Sequence, residues 1–206
     1  MNHRKKDNAD NLCLRFALDA STQTDMVRVM AHLTTSVEYG IHSLLWLVGS
    51  DDIAMSSREL AELQGISPSF LAKIFPKLEK AGIVAASEGV RGGYRLGRPA
   101  SDISFLQIVD AIEGDKPLFD CQEVRGRCAL FAGSAPEWAT KGTCAIHGVM
   151  LQAEKAMRES LATQSLAAVH DRFGRKAPEK FMTDVSGWVN GRVTGRGNKA
   201  PREAPT

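Results

Sequence analysis

The chain has 206 residues, of which 43% are hydrophobic, enough for one packed domain with appendages. Its 26 basic and 24 acidic residues leave a formal charge of +2, so bulk charge does not define a polyanionic partner, and any contact with nucleic acid must come from local arrangement. There is no run of about eighteen apolar residues to span a membrane. The basic start from Met1 to Lys6 also lacks the apolar stretch of a signal peptide. A cytoplasmic setting is therefore expected, where cysteines bind metals or react more often than they form structural disulfides.

Residues 1–30 are polar and weakly patterned, and read as a disordered N-terminal arm with a short helix from Leu12 to Leu18 at most; Cys13 has no assigned role there. From Leu33, the residues Val37, Ile41, Leu44, Leu45 and Val48 mark one buried helical face, ended by Gly49 to Asp52. Ser56 and Glu59 have the spacing of a capping box, which satisfies free N–H groups at a helix start. Leu60 and Leu63 give that short helix its apolar face, and Gly65 its exit. Ser67-Pro68 opens a third helix, with Leu71, Ile74, Phe75 and Leu78 inside and Gly82 after it. Pro76 lies in its interior, where the missing N–H costs roughly 3 kcal/mol and predicts a kink near residues 72–75. Helix, short helix, tight turn, helix is the spacing of a helix-turn-helix. Residues 83–86 and 94–96 then read as two strands around a glycine-rich tip, a β-hairpin wing. Ser104 caps a further helix containing Phe105, Ile108, Val109 and Ile112, with Gly114 after it. Residues 31–115 thus form a winged helix-turn-helix domain in a mainly α chain.

A recognition helix enters the major groove by its N-terminal end, which needs small polar and basic residues. Ser67, Ser69 and Lys73 fit that role, Lys77 is placed for a phosphate, and Arg91 on the wing for an adjacent groove or phosphate.

Residues 116–144 are rich in turn formers and hold three of the four cysteines. Six residues separate Cys121 from Cys128, fifteen separate Cys128 from Cys144, and His147 follows three positions later. Such a loop rarely hides thiols for packing, and the set suits a bound metal or an iron–sulfur cluster. A long helix over 145–171, with Ile146, Val149, Met150, Ala153, Ala156 and Met157 on its apolar side, suits a helix–helix contact. Residues 172–206 turn basic and rich in glycine and proline, and read as a disordered basic tail. Nothing in the chain has the context of a catalytic triad, a phosphate loop or paired acids in a cleft, so no enzymatic activity is expected.

The stretch Ile66-Ser67-Pro68-Ser69-Phe70-Leu71, the run Leu78-Glu79-Lys80-Ala81-Gly82-Ile83, the wing residues Arg91-Gly92-Gly93-Tyr94-Arg95-Leu96 and the end Ala111-Ile112-Glu113-Gly114 resemble the Rrf-two family of bacterial transcription regulators. The resemblance covers roughly residues 30 to 165. It implies a homodimer paired through the long helices, binding a double-stranded DNA operator as a transcriptional regulator, in the main a repressor. It also implies a [2Fe–2S] cluster in the cysteine loop as a redox or iron–sulfur sensor. Two ligand patterns of the family are partly present. In one, Cys121, Cys128, Cys144 and His147 are the ligands, although the gaps here are longer than usual. In the other, the RsrR-like branch, two cysteines of one subunit join a glutamate and a histidine from the first helix of its partner. Cys121, Cys144, Glu38 and His42 match that pattern and are preferred, because Glu38 and His42 lie one turn apart on one helical face. A [4Fe–4S] cluster, a zinc site or a metal-free regulator using its thiols as the sensor are the alternatives.

Overall fold

The computed structural model describes residues 33–49, 53–87, 92–114 and 116–195. The expected N-terminal arm, the short helix near Leu12, Cys13, Arg91 and the end of the tail lie outside the described residues.

Helix α1 runs Thr35–Leu45, α2 Ser57–Gln64 and α3 Pro68–Lys80. Strands β1 (Val84–Ser87) and β2 (Gly93–Leu96) follow, then α4 (Phe105–Glu113). Beyond the loop, which holds a single helical turn α5 (Glu137–Thr140), come α6 (Ala145–Ala162), α7 (Leu166–Gly174) and α8 (Glu179–Gly195). The chain is mainly α, with one antiparallel two-stranded sheet among the described residues.

Local chemistry sets the boundaries of the reading head. Ser56 and Glu59 form the expected capping box: the Ser56 hydroxyl accepts from the Glu59 N–H at 3.2 Å, and the Glu59 carboxylate accepts from the Ser56 N–H at 2.8 Å. Gly65 closes α2 in the left-handed region, at φ 68°. Ser104 and Gln107 form a second box at α4. Helix α3 continues through Pro76, which lies on its exposed side. Leu71, Ile74, Phe75 and Leu78 of α3 are buried against Val37 and Leu44 of α1, Leu60 of α2 and Ile108 and Ile112 of α4. Burial of side chains of this size stabilises by about 1.5–3 kcal/mol each.

The wing pairs Val84 with Leu96 and Ser87 with Gly93. Met55, just before α2, bridges to the other edge of β2 by exchanging both backbone hydrogen bonds with Tyr94, at 3.0 and 2.8 Å. The strand can approach so closely because residue 93 is glycine: a Cβ there would lie 2.6 Å from the Met55 carbonyl carbon.

Two expectations for the C-terminal third are corrected. The helix expected over 145–171 is two helices. It stops at Thr163, and Gln164 to Leu166 runs extended against Ile103 to Phe105, with Phe105 N–H donating to Gln164 O at 2.9 Å and Leu166 N–H to Ile103 O at 2.8 Å. Ser165 then caps α7 by accepting from the Ala168 N–H. The described residues beyond Arg172 do not run on as a tail either. Residues Glu179–Gly195 form α8, and Val185, Trp188 and Val189 pack onto the core.

Candidate functional site

The N-terminal end of α3 presents Ser67, Ser69 and Lys73, all exposed. The two serine hydroxyls hydrogen-bond each other at 2.8 Å, and Ser67 does not cap the helix through its side chain. Phe70, between them, leans edge-on against Tyr39 of α1, with centroids 5.3 Å apart. Lys77 has a different engagement from that expected: its Nζ donates to the Ile112 carbonyl at 2.7 Å. There it satisfies an orphan carbonyl and meets the negative end of the α4 dipole. Arg95 of the wing is exposed.

The cysteine loop leaves α4 and returns to α6 at Cys144, the residue preceding that helix. All three described cysteines are free thiols; Cys121 and Cys144 are half-buried and Cys128 is exposed. Arg125 organises the loop. Its guanidinium grips Glu123 with two hydrogen bonds and donates to the carbonyls of Thr140 at 3.2 Å and Gly142 at 2.9 Å. One side chain thereby joins the beginning of the loop to its end. The Glu123 hydrogen bond raises the Arg125 pKa, and the charges of Glu123, Cys144 and Cys121 add to the shift. Glu123 in turn is held below the usual carboxylate range, chiefly by the Arg125 hydrogen bond, with the charges of Arg125 and His147 adding. Glu123 keeps a left-handed backbone, at φ 46°, which is unusual for a residue with a Cβ. His147 lies on the first turn of α6 with its ring 6.1 Å from that of Phe119.

On α1, Glu38 is exposed and His42 half-buried. Burial lowers the His42 pKa, and the Glu38 charge opposes that shift. His42 is thus favoured as the neutral imidazole, the form that ligates a metal. Among the described residues, no group of three or more His, Cys, Asp or Glu side chains converges within one chain. Arg125 joins the segments that carry Cys121 and Cys144, and Glu38 and His42 lie one turn apart on α1. Arg125 and Glu123 were not among the residues expected in the site. The signal available was an acid and a base two positions apart inside a loop otherwise read for its thiols.

A helix-turn-helix with an adjoining β-hairpin, whose second helix presents hydroxyls and a lysine at its free end, defines a winged-helix transcription regulator that binds DNA. Residues 33–172 match the family described as Rrf2, iron-dependent transcriptional regulator, and the chain belongs to that family. It is 33% identical over 137 residues to the protein rrf2 of Nitratidesulfovibrio vulgaris, covering 66% of this chain and 84% of the relative. It is 39% identical over 109 residues to the regulator IscR of Vibrio atlanticus, covering 50% and 58%. Of solved structures, IscR of T. potens superposes with a TM-score of 0.52 at 24% identity, over 73% of this chain and 95% of that one. The cysteine regulator CymR of B. subtilis superposes with 0.52 at 20%, over 68% and 96%. These likenesses are to regulators, not enzymes. Among the described residues, no helix is long and apolar enough to cross a membrane.

Proposed function

We propose that the protein is a homodimeric, cluster-sensing repressor, in which Cys121 and Cys144 of one chain and Glu38 and His42 of the partner subunit hold a [2Fe–2S] cluster. The observation that carries this reading is the selective placement of Arg125. It grips Glu123, two residues after Cys121, and the carbonyl of Gly142, two residues before Cys144, while Cys128 is exposed. One side chain thereby joins the two segments that carry the half-buried thiols, and on this reading the second pair of ligands comes from the partner subunit. Glu38 and His42, one turn apart on α1, are a chemically suitable pair. The exposed apolar side of α6 supports the dimer: the helix has no buried residue, and Ile146 and Val149 are 66% and 65% exposed.

When bound, such a cluster supplies reversible one-electron chemistry, and histidine in place of thiolate raises its reduction potential. The chain's own residues do the rest. Arg125 ties the start of the cysteine loop to its end through Glu123 and the carbonyls of Thr140 and Gly142. Burial favours the neutral imidazole of His42. Ser67, Ser69 and Lys73 meet the operator, and Lys77 fixes α3 to α4 while leaving N–H groups to spare. Arg91 is assigned to the DNA backbone beside the wing.

A specific observation favours a second ligand reading. His147 lies on the first turn of α6, three residues after Cys144, so His147 and Cys128 are kept as the alternative ligands beside Cys121 and Cys144. Anaerobic purification with iron and sulfide analysis separates the two. With the preferred set, His42→Ala and Cys144→Ala change the visible spectrum and the redox response, while Cys128→Ala and His147→Ala leave both unchanged. An unaltered spectrum and redox response in His42→Ala would sink the preferred set. A colourless protein without iron would leave the zinc or thiol-only regulator.

A further inference from the structure

We infer that α8, which lies beyond the residues matched by the family, couples the helix bearing Glu38 and His42 to the first helix of the reading head, through Phe181 on Trp46 and Arg192 on Glu62. This rests on the assignment of Glu38 and His42 as cluster ligands.

Trp46 follows directly on α1, one turn after His42. Its ring stands edge-on to Phe173 of α7, with centroids 5.7 Å apart, and 6.3 Å from Phe181 at the start of α8. Phe173 and Phe181 also meet at 6.3 Å, so the three rings form one mutually packed knot. Aromatic pairs at these separations prefer edge-to-face geometry, so a rotation of one ring costs contact with both others. From Phe181 the helix continues with Val185, Trp188 and Val189 against the core, and Val189 is buried. Eleven residues on from Phe181, about 16 Å along a helix, is Arg192. Its guanidinium lies 4.9 Å over the Trp188 ring and grips the Glu62 carboxylate with two hydrogen bonds, one of 2.8 Å. Planar two-point pairing fixes orientation as well as distance.

Glu62 is on the last turn of α2, immediately before the tight turn that leads into α3. The same turn is held from the other side by Gln64, whose Nε2 donates to Ser43 of α1 at 2.8 Å. Ser43 adjoins His42. The end of α2 is thus clamped twice: directly to α1, and through α8 to a knot built on Trp46. A displacement of α1 reaches the turn before α3 along both arms. With the α8 arm cut, the end of α2 keeps its core packing through Leu60 and Ala61 and its Gln64 hydrogen bond to Ser43, but loses the side-chain tie to α8. Arg192 and Phe181 are positioning residues in this scheme and touch neither DNA nor ligand.

The test uses the full chain with Arg192→Ala, Arg192→Lys and Phe181→Ala. Arg192 is partly exposed, so its variants keep the fold even where Phe181→Ala does not. The first readout is amide exchange in the iron-free protein. Exchange over residues 57–64 is expected to quicken in Arg192→Ala, with residues 105–113 unchanged. The second is the ratio of affinities of the oxidised and dithionite-reduced protein for a duplex that the wild type selects from a randomised pool. That ratio is expected to fall toward one by at least about fivefold, the lower range of ordinary allosteric coupling. Arg192→Lys, with charge but no fork, is expected to fall between the two. An unchanged ratio in Arg192→Ala overturns the inference, and faster exchange with an unchanged ratio reduces α8 to a brace. If the wild type itself shows no iron or no state-dependent ratio, the cluster assignment fails, and the exchange measurement separately decides whether α8 grips α2.

Discussion

Gly93→Ala tests how the wing is attached to the helix-turn-helix. A Cβ at residue 93 would stand 2.6 Å from the Met55 carbonyl carbon, 2.8 Å from its oxygen and 2.9 Å from the Ser56 nitrogen. All three are main-chain atoms, so no side chain is available to swing aside, and non-bonded atoms prefer roughly 3.5–4.0 Å. Relief requires β2 to draw back from Met55. That stretches both hydrogen bonds of the Met55–Tyr94 rung, each worth about 1 kcal/mol net. Overpacking adds about 1–3 kcal/mol, for a total of about 3–5 kcal/mol. For a chain of this length, that lowers Tm by about 6 °C or more. The measurement is thermal unfolding by circular dichroism at equal protein concentration, with Gly187→Ala as the companion. Gly187 lies inside α8 with open space around it, so alanine there is expected to stabilise by about 0.5–1 kcal/mol. A Gly93→Ala protein that melts within about 2 °C of the wild type would refute the close-approach argument.

Ser56→Ala removes the acceptor for the Glu59 N–H and leaves a largely buried carboxylate without its 2.7 Å hydroxyl partner. A loss of about 1–2 kcal/mol in urea unfolding is expected, and a change under about 0.3 kcal/mol would contradict the capping account. Glu113 supplies a pH dependence. Burial would raise its pKa, but the side-chain and backbone hydrogen bonds from Thr34 and the Lys116 charge outweigh that and hold it below its ordinary value. A carboxyl with a depressed folded pKa stabilises fully above its unfolded value, about 4.3, and loses that contribution as pH falls through the folded value. Glu113→Gln is therefore expected to flatten the stability profile below about pH 4.3, and an identical acid slope in wild type and variant would show the Thr34 contact to be idle. Arg125→Ala frees the two ends of the cysteine loop. On the proposed ligand set, iron affinity is expected to fall about 10–100-fold, as for the loss of other groups that orient ligands. Full iron loading at unchanged affinity would show that the thiols hold their places without it.

Much of the winged domain was legible because its signals are local. Capping boxes at Ser56 and Ser104, the left-handed exit at Gly65 and the α3 face of Leu71, Ile74, Phe75 and Leu78 all act within a few residues, and the structure places them as read. What was missed depends on contacts distant in sequence. The break after α6 is set by pairing with Ile103 to Phe105, some sixty positions earlier. The hydrogen bond from Lys77 to the Ile112 carbonyl was not legible, because nothing near Lys77 in sequence reveals that carbonyl. Helix α8 carried a readable pattern, with Phe181, Val185, Trp188 and Val189 at helical spacing, but Pro178, Gly187, Gly191 and Gly195 gave the segment the composition of a tail. Glycines weaken an isolated helix, whereas here packing of one apolar face decides. Within the site, the residue types and the Glu38/His42 spacing were visible. The grip of Arg125 on the carbonyls of Thr140 and Gly142 was not, because backbone acceptors leave no trace in sequence.

The Arg125 closure also bears on how the loop tolerates change in length. The segment between Cys121 and Cys144 is long, and its span would matter greatly if the thiols were located by the path of the chain between them. With the ends tied by Arg125, what lies between becomes an excursion, and doubling the length of a flexible excursion costs only about 0.6 kcal/mol in closure entropy. Residues 128–136, with exposed Cys128 and Leu130, are then a stretch that evolution or an engineer is free to shorten, lengthen or tag without dislodging the two thiols.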